Sequence, residues 1–385
     1  MKKIFPVALS AVISISAFTV GCNFEKLDTS PYFFAMASDA TLNIPPAVVQ
    51  EREKDCYRLY GETRALLNNI DRSISASLST TYIHNFNKAV AGSKVELNET
   101  AYEVFTLAKD AYEITGGYYN PAVYYNVIAY GFGSAERYPS TADDLPTDEN
   151  IEKYNLLSAA FKDVQLLTEN GKYYAVKPDV SITIEGVPYS MKIDLGGIGK
   201  GYGVDEVMGL MDKYQMVYGN FVFGDSSIGL KKYNGAEFDH YKLGFSNPRY
   251  KEGSSRQYLR TNVKDITLST SGDNVQYYEI DGVRYCHVMD PNTGKPVQTG
   301  IMTATVLGPN AALNDAYTTA IMAMGKEKAV EFINSKLSDH RVVFTYDNSG
   351  KYEIISNIPA DELEILAEDF SLVNTVVDGK IVLVG

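Results

Sequence analysis

Hydrophobic positions change period several times along this chain, and each change marks an element. From Glu51 to Ser77 the apolar residues Leu59, Leu66, Leu67, Ile70 and Ile74 recur at helical spacing, which predicts a long amphipathic helix. A second helix is predicted over Thr100 to Ile114, with Val104, Leu107, Ala108 and Ala111 on one face and Thr115-Gly116-Gly117 as its stop. Tyr32 to Ile44 reads as a strand broken by Pro45-Pro46, and Tyr173 to Leu195 alternates as a hairpin does. Glycine-dense Gly196 to Gly203 is expected as a turn leading into a helix that carries Val204, Val207, Met208 and Met211. A β-rich stretch runs through His287, with turns at Asn234-Gly235, Asn247-Pro248 and Asp281-Gly282, and Asn314 to Met324 is again helical. The polar stretch Ser134 to Asn150, with Pro139 and Pro146, is expected as a surface loop between two lobes. From Lys326 onward short helix, strand and turn patterns follow, and the pattern assigns them no role. The whole reads as a mixed α+β fold.

The N-terminus stands apart. Lys2 and Lys3 precede a mostly apolar stretch, Ile4 to Val20, that ends at Gly21-Cys22. It is short and serine-rich for a membrane span and has the form of an export signal. A small residue directly before a cysteine is similar to a bacterial lipoprotein signal, although Thr19 stands where leucine is usual. Residues 1–21 are therefore expected to be removed, Cys22 to be lipidated, and 22–30 to form a tether. The remainder, 31–385, would be one folded domain outside the cytoplasm, anchored to a membrane. The other cysteines, Cys56 and Cys286, are expected as free buried thiols, and the absence of a CxxC pair disfavours a structural zinc site. A net charge of −13 without any basic stripe excludes a nucleic-acid surface as the main business of the chain.

Three segments carry candidate chemistry. The run from Lys192 to Asp205 holds glycines at 196, 197, 199, 201 and 203 around Lys200. Exposed backbone N–H groups, a helix N-terminus and a lysine together suit a phosphate. The spacing is neither a P-loop, since Gly201 follows Lys200, nor the dinucleotide fingerprint. Ser271-Gly272-Asp273 is followed by His287, whose side chain can exchange a proton with a hydroxyl near neutral pH. Asp315 and Thr319 would share one helix face, with Cβ atoms about 5–6 Å apart. Their all-oxygen character suits Mg²⁺ or Ca²⁺. Each segment also has a plainer reading: a tight turn, a hydrogen-bonded strand histidine, and a helix-start aspartate beside a buried threonine.

Order and combination resolve the choice, because here the chain resembles the ApbE family, the FAD:protein FMN transferases. Ala35-Met36-Ala37-Ser38 is similar to the family's Met-Gly-Thr, and Gly116 to Val123 to its Gly-x-Phe-Asp-Pro-Thr-Val. Asp194 to Asp205 resembles Asp-Leu-Gly-Gly-Ile-Ala-Lys-Gly-Tyr-Ala-Val-Asp almost throughout. Ser271-Gly272-Asp273 and His287 to Gly294 resemble Ser-Gly-Asp and His-x-x-Asp-Pro-x-Thr-Gly, and Asp315 to Ala320 resembles Asp-Ala-x-x-Thr-Ala. Two positions depart from the pattern: Asn120 replaces an aspartate, and Asp225 stands at a family glycine.

The resemblance implies an ApbE-like fold of two intimately packed lobes with a flavin cleft between them. It implies Mg²⁺ held by Asp315, Thr319 and the Gly199 carbonyl, and FAD as substrate. Gly196, Gly197 and Lys200 would lie near the FAD diphosphate. Met36, Tyr118, Asp194, Ser271 and Asp273 would line the cleft, and His287 would assist transfer of FMN to a Thr or Ser hydroxyl of an exported or membrane redox protein, with release of AMP. The substitution at Asn120 would remove a carboxylate from the cleft, and Asp225 would add bulk and charge where a backbone should approach the cofactor. An FAD pyrophosphatase and a non-catalytic flavin-binding lipoprotein are the alternative readings.

Overall fold

Nine strands, drawn from all parts of the chain, lie side by side in chain order in one sheet. They are β1 (Tyr32–Ala35), β2 (Ser38–Asn43), β3 (Asn220–Phe223), β4 (Ser227–Leu230), β5 (Thr267–Gly272), β6 (Ile301–Gly308), β7 (Arg341–Asn348), β8 (Lys351–Ser356) and β9 (Phe370–Leu372). Neighbours run antiparallel except β8 and β9, which are parallel. This computed structural model describes residues 28–133, 137–233 and 239–383. The export signal, Cys22, most of the tether and the Asn234-Gly235 turn lie outside the described residues.

The stretch expected as one strand from Tyr32 to Ile44 is a hairpin. Met36 and Ala37 have φ of 48° and 54° and form its two-residue turn, with Ala35 paired to Ser38. Left-handed backbone at both central positions matches the twist of the flanking strands. Met36 is thereby lifted to the tip of the hairpin.

All eight residues of β6 are buried because both faces of the sheet are covered. On one face Phe245, Tyr258 and Leu259, from a separate three-stranded sheet, pack with Met302, Val343 and Ile354. On the other, Ala304 and Val306 meet a helical layer. Its long helices are α1 (Glu53–Ile74), α2 (Glu99–Ile114), α3 (Gly196–Lys213), α4 (Ala311–Met324) and α5 (Lys326–Lys336). In α4 only Leu313 and Thr319 keep some exposure, which makes it the central helix of the core.

Several sequence expectations change here. Tyr173 to Leu195 is not one hairpin: Lys172–Val176 pairs with Lys94–Leu97 and Gln165–Glu169, and Ser181–Ile184 pairs with Val187–Ser190. The polar loop ends at Thr147, whose hydroxyl caps the helix Asp148–Ala159. The region beyond Lys326 supplies β7, β8 and β9 and so completes the sheet. Most consequentially, Gly196 to Gly203 is no turn but the first two turns of α3. Its glycines serve close approach. A Cβ on Gly201 would lie 2.1 Å from the Ala311 carbonyl oxygen, and one on Gly203 would lie 2.8 Å from the Phe223 ring. Cys56 and Cys286 are buried and free, as expected.

Candidate active site

The site begins where the chain enters α3. Asn87 accepts a hydrogen bond from the Ile193 N–H (2.8 Å) and donates one to the Ile193 carbonyl (2.8 Å), which fixes the approach segment. The fully buried Lys177 donates to the carbonyls of Phe86, Asn87 and Ala89 and holds the helix end that carries Asn87. Asp194 follows. Its N–H donates to Pro121 O (2.9 Å), and its carboxylate accepts the Gly196 N–H at 2.7 Å across the first turn of α3. Nothing in the sequence flagged Asn87 or Lys177, since neither belongs to a local motif.

Next, α3 crosses α4 at very short range. The Gly201 N–H donates to the Asp315 carboxylate (3.3 Å), while Asp205 accepts the N–H groups of Ala311 (2.7 Å) and Ala312 (2.9 Å) at the start of α4. A carboxylate at that position satisfies two otherwise orphaned donors and complements the helix dipole. One turn further along α4, Thr319 faces Gly197: a Cβ there would lie 3.7 Å from its hydroxyl oxygen. Ser271, from β5, sits 2.8 Å from the Thr318 hydroxyl and 3.5 Å from that of Thr319. Gly196, Gly197, Asp315, Thr319 and Ser271 thus converge. The Cα hydrogens of Gly199, two residues further along, face the other side of α3. A Cβ there would meet Ile74 (2.7 Å) and the Met36 sulfur (3.1 Å). Two residues along an α-helix turn the chain by about 200°, so Gly197 is the glycine beside Thr319. Met36 instead packs its hairpin tip onto the outer side of α3.

Lys200 is the shared cation of the site. Its charge acts on Asp194, Asp315 and His287 alike, and it has no ion-pair partner among the described residues. Its aliphatic stem lies under the turn between β3 and β4, where a Cβ on Gly224 would lie 3.6 Å away. Gly224 makes that close approach, so Asp225 points its charge outward and is exposed. Burial pushes the Asp315 carboxyl above its ordinary range, against the pull of Lys200 and the Gly201 N–H. Burial raises Asp194 too, opposed by the Gly196 N–H and Lys200. Asp194 nonetheless keeps an exposed face to solvent. Burial first, then Lys200, lowers His287 to about 4, which leaves the imidazole neutral at pH 7. Its Nδ1 has no hydrogen-bond partner, and the same holds for the buried hydroxyls of Tyr119 and Ser226.

Two residues expected in the cleft are engaged elsewhere. The Tyr118 hydroxyl accepts from Lys328 (2.7 Å) near the surface, and its neighbour Tyr119 is the one that turns inward beside Gly197. Asp273 receives both terminal nitrogens of Arg249 (2.7 and 2.6 Å), with Arg284 at 3.6 Å. It ties the end of β5 to the hairpin that leads into His287. Asn120 is buried, with its amide spent on Ser158 O and the Ala122 N–H, so its exchange for aspartate takes no carboxylate from the cleft.

Among the described residues no cluster of three or more His, Cys, Asp or Glu side chains could hold a metal ion. The oxygen set of Asp315, Thr319 and a first-turn carbonyl of α3, with Asp315 in no contact ion pair among the described residues, nevertheless fits a hard divalent cation. Fold and site together define a mixed α+β protein in which the start of α3, Lys200 and the Asp315–Thr319 pair lie together. The chain belongs to the ApbE family, whose sequence profile matches residues 36–344. A FAD:protein FMN transferase of Vibrio cholerae is 25% identical over 327 residues, covering 84% of this chain and 88% of that protein. One of Escherichia coli K12 is 26% identical over 265 residues, covering 68% and 70%. Among solved structures, the flavin transferase ApbE of V. cholerae superposes with a TM-score of 0.67 at 21% identity, covering 85% of this chain and 96% of that one. The ApbE protein of Thermotoga maritima gives 0.65 at 23% identity, covering 82% and 94%.

Proposed function

We propose that this protein is a FAD:protein FMN transferase that moves FMN from FAD to a Thr or Ser hydroxyl of an exported or membrane redox protein, with AMP as the leaving group. The observation that carries the reading is the proximity of the α3 N-terminus, Lys200, Asp315 and Thr319 to one another. The Gly197 N–H at the start of α3 and the Lys200 ammonium would receive the FAD diphosphate, because partial and full positive charge meet there. Asp315, Thr319 and the Gly199 carbonyl would hold Mg²⁺, which supplies charge neutralisation on the diphosphate when bound. The acceptor oxygen forms a bond to the FMN phosphorus, the bond to the AMP oxygen breaks, and the hydroxyl proton passes to neutral His287. Such a transfer asks the protein mainly for positioning and electrostatics. We further propose that residues 31–385 act outside the cytoplasm, tethered through a lipidated Cys22, as the apolar stretch before Gly21-Cys22 suggests.

The test incubates purified protein with FAD, Mg²⁺ and an acceptor protein, and weighs the acceptor by mass spectrometry. Wild type should add the mass of FMN, and Asp315→Ala should not. Unmodified acceptor with intact FAD rejects the proposal, and release of AMP without any acceptor points to a hydrolase instead.

A further inference from the structure

Tyr119 is an anomaly of the site. The ring lies beside Gly197, with a Cβ there only 3.4 Å away, on the side of α3 that also faces Thr319. Its backbone is anchored, since its N–H donates to the Thr115 hydroxyl (3.0 Å) at the end of α2. The residue is 3% exposed, and its hydroxyl has no hydrogen-bond partner. A buried hydroxyl without a partner is unfavourable, and native proteins keep few of them. In the family pattern Gly-x-Phe-Asp-Pro this position is phenylalanine, which would fill the same space with no such penalty. The chain therefore adds a donor where packing needs none.

We propose that the Tyr119 hydroxyl is a ligand-binding group, which donates a hydrogen bond to an oxygen of the bound diphosphate. The inference rests on the reading of the site as an FAD site and deepens it. The hydroxyl is within electrostatic reach of Asp315 and Asp194, yet neither carboxylate takes its proton in a hydrogen bond. A phenol carries its proton at neutral pH and so has one to donate. The free acceptor must come with the substrate. The α3 N-terminus and Lys200 mark where its phosphates lie, and Tyr119 borders that first turn. A hydrogen bond to a phosphate oxygen is charge-assisted and so among the stronger kinds.

The variant Tyr119→Phe of the full chain tests this, with FAD and ADP dissociation constants measured by titration in the presence of Mg²⁺. Both constants should rise about 10- to 100-fold, as loss of a bond to a charged acceptor predicts. The ligand-free unfolding temperature should stay level or increase, because the variant removes an unpaired buried group. A lower ligand-free unfolding temperature would mean the hydroxyl serves a protein partner, and would overturn the inference. Weaker FAD binding with unchanged ADP binding would place the contact on the flavin half and overturn it too. Unchanged affinity for both ligands would sink it while leaving the transferase reading in place. Failure of the wild type to bind FAD at all would instead remove that reading and the inference with it.

Discussion

Adding one methyl group at Gly201 tests how the site is assembled. In Gly201→Ala the new Cβ would sit 2.1 Å from the Ala311 oxygen, 2.5 Å from its carbonyl carbon and 2.7 Å from the Ala312 Cα. The shortest of these is roughly 1.4 Å inside ordinary contact. All three neighbours are backbone, so no rotamer change relieves the clash and the two helices must part. Overpacking of this kind costs about 1–3 kcal/mol, against which alanine returns about 0.8–1 kcal/mol of helix propensity. A net loss of about 0–2 kcal/mol follows, larger the less the two helices can part. The separation opens the bond between the Gly201 N–H and Asp315, already 3.3 Å, and moves Asp315 relative to the first turn of α3. Displacement of that order can cost about 100-fold in rate. Gly209 is the control: it lies on the same helix, and nothing stands within 4 Å of a Cβ there. Gly209→Ala should gain about 0.5–1 kcal/mol and keep full activity. Denaturant unfolding and acceptor flavinylation of the two variants decide the matter. Equal stability and equal activity in both would refute the claim that Gly201 exists for helix contact.

Other outcomes follow from the same geometry. Burial raises Asp205 to about 6 despite its two N–H donors, so its proton is held more tightly folded than unfolded and stability is lost as pH rises from about 4 to 6. In Asp205→Asn that loss disappears, and the stability difference should move in the variant's favour across this window; urea titrations showing the opposite trend would contradict the assignment. His287→Ala should slow transfer by about 10²–10⁴-fold, as expected for loss of a general base. With His287 lowered to about 4, the wild-type rate should show no acid limb between pH 7 and 5, and a limb near 6.5 would exclude this histidine as the base. Cys56 and Cys286 should react with a thiol reagent only on unfolding, because both are buried and burial pushes Cys286 up to about 11. Rapid reaction of the native protein would argue against that packing.

Much of the candidate site was legible one motif at a time. Asp315 and Thr319 share a helix face because their spacing matches the helical repeat, and that depends on sequence alone. The glycines around Lys200 read as a turn in the sequence, whereas the structure makes them the start of a helix. Glycine density ordinarily signals a turn, and only the partner helix shows why α3 tolerates so many. Tyr118 and Tyr119 could not be told apart by composition, since which of two adjacent tyrosines turns inward depends on the anchor from Thr115 and the position of Lys328.

The amino-acid order determined the long helices, the motif sequence and the chemical identity of the site, because amphipathic period and residue type are local properties. Tertiary structure decided which groups are spent and which remain free. Asp273 is committed to Arg249 and Asn120 to Ser158, while the Tyr119 hydroxyl and His287 Nδ1 are left without partners. Such pairings join residues distant in the chain, and they exist only once helix and sheet have packed.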